Sequence, residues 1–438
     1  MHSPGSGRHL PDAHARQALS PRTRLWAVLA AHTTSTAGNA ATAIALPLFV
    51  LESTGSTALM GVIGAAAIAP VVIGGVFGGV LVDHFGYRRT SIVSDAIGAA
   101  TIAAVPLLHL TLGLPFWALL TLVVATGLLD TPGQAARHAL LPELADEAGV
   151  ALERATGWMD AAERAARLIG APIAGALVSL LGAPLVLVVD ALTFVAAAVL
   201  IAASLPLARQ DAGGDVEPGA AGVLGGARGY VRELRVGLAF VRGDRLLLAV
   251  IAMVALTNAF DAAFSSVVLP VYATQRLGGG IDLGLLVGAF GGGAVIGAFA
   301  FGAVGSRWSR RRIFAVAFLL AGAPRFALLA LDPGLAVLLA GAALSGLAAG
   351  AINPILGAVQ LERVPAGTRA RVAGVVGAGA WAGMPIGILG AGLWLENGSL
   401  ITLLITLAIS YLLITLTPAI FPIWRDLDRR PRTPTAQH

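Results

Sequence analysis

Four stretches of this chain, Leu25 to Leu51, Leu283 to Ser306, Val372 to Leu395 and Asn397 to Trp424, contain no Asp, Glu, Lys or Arg. Each is long enough to cross the hydrocarbon layer of a bilayer as a helix, which takes roughly 20 apolar residues. No water reaches that layer to satisfy open backbone groups, so runs of this length must be helical. A transmembrane β-barrel would instead show short alternating segments, and the sequence has none. With 12% of its 438 residues charged and 57% hydrophobic, against about 25% charged in an average soluble chain, the whole sequence reads as a multi-pass, all-α integral membrane protein.

Breaks between apolar runs give twelve spans. All 29 basic residues are Arg, and all but Arg276 and Arg325 fall on the side that carries the N-terminus. The opposite loops hold Glu52, Asp282, Asp332 and Glu396 instead. By the positive-inside rule the arginine-rich side is cytoplasmic, and an even number of spans returns the C-terminus to it. The expected location is the bacterial inner membrane. The polar segment 1–24 lacks the short apolar core and cleavage site of a signal peptide and reads as a cytoplasmic tail.

The chain also repeats itself. Pro47 and Pro270, Gly61 and Gly284, Gly79 and Gly302, and the pairs Arg88–Arg89 and Arg311–Arg312 all stand 223 residues apart. Six spans per half give both halves the same orientation, a parallel repeat about an axis along the membrane normal. The predicted organisation is a first six-helix bundle at 25–205, a cytoplasmic linker at 206–245, a second bundle at 246–424 and a tail at 425–438. Within the linker, Tyr230, Leu234, Leu238 and Val241 recur at helical spacing with Arg between them, which predicts an amphipathic helix at the membrane surface.

The loop after the second span reads Gly79-Val80-Leu81-Val82-Asp83-His84-Phe85-Gly86-Tyr87-Arg88-Arg89 and resembles the G-x-L-x-D-x-x-G-x-R-R signature of the major facilitator superfamily. That resemblance implies twelve transmembrane helices in two pseudo-symmetric six-helix bundles that move about a shared central cavity. It also implies a gating role for Gly79, Asp83, Gly86, Arg88 and Arg89, with Asp83 latching the cytoplasmic side against basic groups and a helix N-terminus of the other half. The second copy has Ser306 opposite Asp83 and Ser309 opposite Gly86, which places the ionic gate mainly in the first half. The stretches "LPLFVLESTGSTALMG", "QAARHALLPEL" and "LVLVVDALTFVAAA" are similar to the drug:proton antiporter branch that includes macrolide and siderophore exporters. The span 5 antiporter element Gly-Pro-x-x-Gly-Gly stands here as Ala171-Pro172-Ile173-Ala174-Gly175-Ala176, and the fourth span reads as lacking a mid-membrane Arg.

A charge near the bilayer centre costs roughly 2.5 to 3.5 kcal/mol on insertion scales, so the acids kept inside spans are the candidates for transport chemistry. Asp261 falls near the middle of span 7, Asp190 within span 6 and Asp130 toward the inner end of span 4. Low-dielectric surroundings favour the neutral form of a carboxylate, which lets such a group load and release a proton. Each of the three could equally be a hydrogen-bonded tie between helices. Arg167 on span 5 reads as the deepest of a charged set with Asp160, Glu163 and Arg164, and Asn39, Asn258 and Asn353 are further polar positions for a proton-coupling site or substrate cavity.

The function these features predict is secondary active transport by alternating access, most simply proton-coupled efflux of a moderately hydrophobic small molecule, with uptake of a nutrient or metabolite as the alternative. No cofactor is expected, the proton gradient being the energy source. A complete repeat pair makes a monomer in the lipid bilayer sufficient. An enzyme is not expected: the chain has no Cys, its eight His show no HExxH-like metal spacing, and no Ser-centred motif occurs. No phosphate-binding G-x-x-x-x-G-K-[ST] loop is present for an ATP pump, and nucleic acid is not an expected partner.

Overall fold

A computed structural model of the chain describes residues 19–205, 226–365 and 368–428, with the side chains of 71–84, 226–234, 304, 306 and 370 outside the description. Every regular element among the described residues is helical. The first half contains α1 (Pro21–Thr54), α2 (Thr57–Phe85), α3 (Tyr87–Thr111), α4 (Phe116–Glu147), α5 (Leu152–Leu181) and α6 (Ala183–Ser204). A short helix α7 (Gly226–Gly243) follows. The second half contains α8 (Arg245–Arg276), α9 (Gly280–Ala303), α10 (Arg310–Leu331), α11 (Leu335–Arg363), α12 (Arg371–Asn397) and α13 (Leu400–Ile420). Eleven of these are long and apolar enough to cross a bilayer, and the 29-residue α2 makes the twelfth. The exterior supports the same reading: Leu110, Trp117, Leu180, Phe299 and Ile386 are exposed, a surface that suits lipid and not water.

Buried apolar side chains divide unevenly along the membrane normal. On the side opposite the termini, one continuous core joins the halves, with Phe49, Met60 and Ile63 of the first in the same cluster as Val268, Leu269 and Ile388 of the second. On the terminal side each half has its own core. Leu25, Leu29, Leu144, Met159 and Ile201 pack together in the first, and Leu246, Phe314, Ile355 and Trp424 in the second. The halves are therefore fused at one face and separately packed at the other, as a rocking pair caught closed on one side would be.

The repeat has a physical counterpart in its arginines. Arg88 donates from Nε to the Leu205 carbonyl at 2.8 Å and from Nη2 to Ala202 at 3.0 Å. Its repeat mate Arg311 donates to Pro418 and Ala419, both at 2.7 Å. Each guanidinium thus satisfies carbonyls that the last helix of its own half leaves open, and it sits where the helix dipole favours a cation. Between α2 and α3, Gly86 takes φ +78°, a conformation that a side chain would strain. In the second copy Ser309 instead caps α10, its hydroxyl accepting from the Arg312 N–H at 3.4 Å. Gly79 and Asp83 lie where side-chain placement is outside the description.

Helix boundaries differ from the apolar runs in three places. α4 continues past residue 138 to Glu147 because Leu140, Leu141 and Leu144 pack against Leu25 and Leu29, and this moves Asp130 from the end of the helix to near its middle. α7 lies against the second bundle rather than on the surface alone: Val241 is buried among Leu247, Val364 and Val372, with Leu238 packed beside it. Tyr230 and Leu234 belong to the side chains outside the description. At the other end, Trp424 and Leu427 are both buried, so the second bundle's packing runs past residue 424.

Candidate functional site

In the second half the acid of α8 has a partner. Arg325 of α10 pairs with Asp261 through Nη2 and Oδ1, the side chains being 12% and 39% exposed respectively. Three rings box the guanidinium, with centroids 4.5 Å (Phe264), 5.1 Å (Phe326) and 5.8 Å (Phe290) from its central carbon, a cation–π environment that holds the charge away from water. Phe264 is placed by a local irregularity: α8 loosens into a π turn over Phe264–Val268, a feature common where a helix serves a site. α10 is also interrupted at Gly322, where a Cβ would collide with the Tyr411 ring.

The pair stands between two cavities. One, of about 310 Å³, runs toward the terminal side and is lined in part by Asn258, Asn353, Gln360, Trp381 and Tyr411. The other, of about 270 Å³, lies toward the opposite face and is almost wholly apolar, with Leu269, Leu286, Leu328 and Leu338 in its wall. Asp261 and Arg325 line both. Asn258 donates to the Ala380 carbonyl at 2.9 Å and so fixes α8 to α12, while Asn353 faces the cavity.

The first half carries its polar groups differently. Asp130 accepts from Asn39 at 3.0 Å and from Gln134 at 2.7 Å, both through Oδ2, and its Oδ1 is buried with no partner among the described residues. Asp190 is fully buried and accepts from the hydroxyls of Thr42 and of Thr193, the latter at 3.1 Å. Those two bonds tie α6 to α1 and complete one turn of α6. Arg167 is 68% exposed and ion-paired with the less exposed Glu163 at 2.7 Å.

The most buried ion pair among the described residues of the first half is not legible as one in the sequence. Arg137 of α4 and Asp95 of α3 are 0% and 1% exposed and pair at 2.8 Å, with the Ser91 and Ser35 hydroxyls 3.4 Å from the guanidinium. By sequence Arg137 groups with the cytoplasmic arginines, whereas the structure buries it between α3 and α4. The extension of α4 to Glu147 adds helix beyond Arg137, so it no longer stands at the helix end. A signal is available in the spacing: Arg137 follows Asp130 by seven residues, two helical turns, and so shares its face.

Two helix-capping contacts are among those that join the halves at the face opposite the termini. The Glu396 carboxylate, at the end of α12, accepts from the Ala58 N–H at 2.9 Å and from the Ser56 hydroxyl at 2.9 Å, capping the first turn of α2. The symmetry-related contact uses Ser179 near the end of α5, whose hydroxyl accepts from the Ile281 N–H at 2.9 Å in the first turn of α9. Beside it the backbones touch: a Cβ on Gly175 would overlap the Gly280 carbonyl and come within 2.9 Å of Gly284 Cα. Small residues permit such approach in lipid. Gly175 and Pro172, the retained members of the span 5 element, are the residues at this seam, Pro172 lying against Gly288.

Comparison with known proteins agrees with this architecture. The model of the Major Facilitator Superfamily matches residues 28–278 and 251–438. The multidrug efflux pump Tap of Mycolicibacterium fortuitum is 30% identical over 419 residues, covering 92% of this chain and 96% of that protein. Tap of Mycobacterium tuberculosis (strain ATCC 25618 / H37Rv) is 30% identical over 409 residues, covering 92% and 95%. Among solved structures, the nucleoside transporter NupG superposes with a TM-score of 0.71 at 12% identity, covering 90% of this chain and 98% of that one. A mutant of the peptide transporter POT gives 0.67 at 16% identity, covering 92% and 95%. These two establish the fold alone. With residues 28–438 matched by the family model and 92% of the chain by relatives covered to 95% or more, this chain belongs to the major facilitator superfamily, a family of membrane transporters and not of enzymes.

Proposed function

We propose that this chain is a secondary active exporter that moves a moderately hydrophobic small molecule out of the cell against proton entry. Its place is the bacterial inner membrane, with both termini cytoplasmic, where a single chain surrounded by lipid suffices. The full-length similarity to proteins named multidrug efflux pumps favours efflux over uptake. The proton gradient is the energy source.

The observation that carries this reading is the Asp261–Arg325 pair at the boundary of the two cavities. A proton that arrives on Asp261 cancels its attraction for Arg325, and the guanidinium is then held by Phe264 and Phe326. The wall between the cavities is rearranged, and the second half is biased toward its other packing. Asp130 offers a second proton position in the first half, since its unpartnered Oδ1 has room for a hydrogen that Asn39 and Gln134 do not contest. Asp190, saturated by hydroxyls, acts as a helix tie. The cavities are of ligand-pocket size and mostly aliphatic and aromatic, which suits apolar substrates of varied shape.

In this account the conformation at hand is closed on the outer face by Glu396 and Ser179 and packed as two separate cores on the cytoplasmic face. Asp83 and its neighbours latch the cytoplasmic side in the alternate state. The test is direction. Cells carrying the gene should accumulate less of a lipophilic dye such as ethidium than cells without it, and energised inside-out vesicles should take it up. Greater accumulation in intact cells that carry the gene would point to uptake and overturn the efflux reading.

A further inference from the structure

The fold assembles a cluster that neither the transport site nor the gates use. His32 of α1, His138 of α4 and Glu163 of α5 each present a potential ligand atom, and these atoms all lie within 4.8 Å of one another. The sequence hides it, because the three residues are far apart along the chain and follow no metal-binding spacing. At the 223-residue offset of the repeat, Ala255 and Leu361 stand in place of His32 and His138. The cluster is therefore not a requirement of the bundle architecture.

His32 is the informative member. Its side chain is 1% exposed, and both ring nitrogens are buried without a hydrogen-bond partner. A buried polar atom left unpaired costs free energy that a satisfied one does not, and each such atom calls for an explanation, an unseen ion among them. Nε2 of His32 lies 3.8 Å from Glu163 Oε2, and the His138 ring meets the His32 ring edge-on at 5.1 Å between centroids. Glu163 divides its oxygens: Oε1 accepts from Arg167 at 2.7 Å, which orients the carboxylate and leaves Oε2 toward the histidines. Arg137, the neighbour of His138 in the chain, has its charge matched by Asp95.

We infer that His32, His138 and Glu163 form a binding site for one divalent transition-metal ion of the zinc class. Two imidazoles and one carboxylate, with a fourth position left to water, make a standard ligand set for Zn²⁺ and its borderline neighbours. Bond lengths of about 2.0 to 2.2 Å in a tetrahedral site put ligand atoms roughly 3.4 Å apart. The present spacing closes to that with side-chain movement of about an ångström, which the exposed His138 supplies. His138 and the part-exposed Glu163 also give the ion a path in from the aqueous side. An ion there would pin α1, α4 and α5 together and act on transport from outside the Asp261 site.

The experiment uses the full-length protein in detergent with a non-histidine affinity tag, titrated with Co²⁺ and then back-titrated with Zn²⁺. Expected for wild type is one Co²⁺ per chain with tetrahedral-type visible absorption, displaced by Zn²⁺. His138→Ala and Glu163→Gln should each weaken that binding by more than about tenfold, the scale on which even an outer-shell partner acts. Neither change touches the buried core, and circular dichroism checks the fold of each. Binding of equal strength in wild type and both variants would assign the metal to other histidines, such as those at positions 2, 9 and 14, and overturn the inference. Absence of the absorption band from wild type would overturn it equally.

Discussion

Glu396 accepts a hydrogen bond from the backbone N–H of Ala58 at 2.9 Å, and through it the last turn of α12 in the second half caps the first turn of α2 in the first. The carboxylate meets open N–H groups at the positive end of a helix, the place where an anion is most favourable. Glu396→Ala should therefore loosen the face opposite the termini. Spin labels on Thr54→Cys and Asn397→Cys, clean probes in a chain with no Cys, should report a larger share of long distances in the variant. An unchanged distance distribution would mean that Glu396 does not hold this face closed.

The seam beside Ser179 makes a steric prediction. Gly175→Val places carbon where the Gly280 carbonyl now lies, so α5 and α9 must separate. Transport should fall steeply while the protein still reaches the membrane, because each half keeps its own core on the terminal side. Valine at 175 with normal transport would show that close approach here is dispensable.

Arg137 and Asp95 make a stability prediction. Removing one partner of a buried ion pair leaves an uncompensated charge and costs about 3–5 kcal/mol. Asp95→Ala should lower the midpoint of thermal unfolding in detergent, whereas the double change Asp95→Leu with Arg137→Met should recover much of the loss. A double variant no more stable than Asp95→Ala would assign the effect to packing and not to charge.

Asp190 and Asp261 are predicted to behave differently although both are acids inside spans. An Asn at 190 keeps one carbonyl oxygen to accept from the Thr42 hydroxyl, and its NH2 can donate to the Thr193 oxygen, whose own hydrogen goes to the Asp190 backbone carbonyl, so Asp190→Asn should retain gradient-driven dye efflux. An efflux defect as deep as that of Asp261→Asn, at equal protein level, would return Asp190 to the coupling site.

The architecture is legible in the sequence because two of its causes are written locally: the length of charge-free runs and the one-sided distribution of Arg. The repeat is legible through Arg88 and Arg311, and the structure gives the reason, since each closes the end of its own bundle. What the sequence does not disclose are pairings between distant segments. Arg325 stands out as a charge in a span, yet nothing in its neighbourhood names Asp261, 64 residues earlier. Arg137 reads as a charge at the very end of a span because apolarity, used to mark the end of α4, stops before the helix does. The caps at Ala58 and Ile281 are invisible for a different reason: the donors are backbone groups, which carry no residue identity.

The account rests most heavily on Asp261 as the group whose protonation drives the second half. Its most direct test is proteoliposomes loaded with wild type or Asp261→Asn, in which proton flux is followed while a transported dye crosses the membrane. Wild type should move protons opposite to the dye, and Asp261→Asn should exchange the dye at equal pH while losing both gradient-driven accumulation and dye-coupled proton movement. Dye-coupled proton flux in Asp261→Asn equal to wild type would contradict the account.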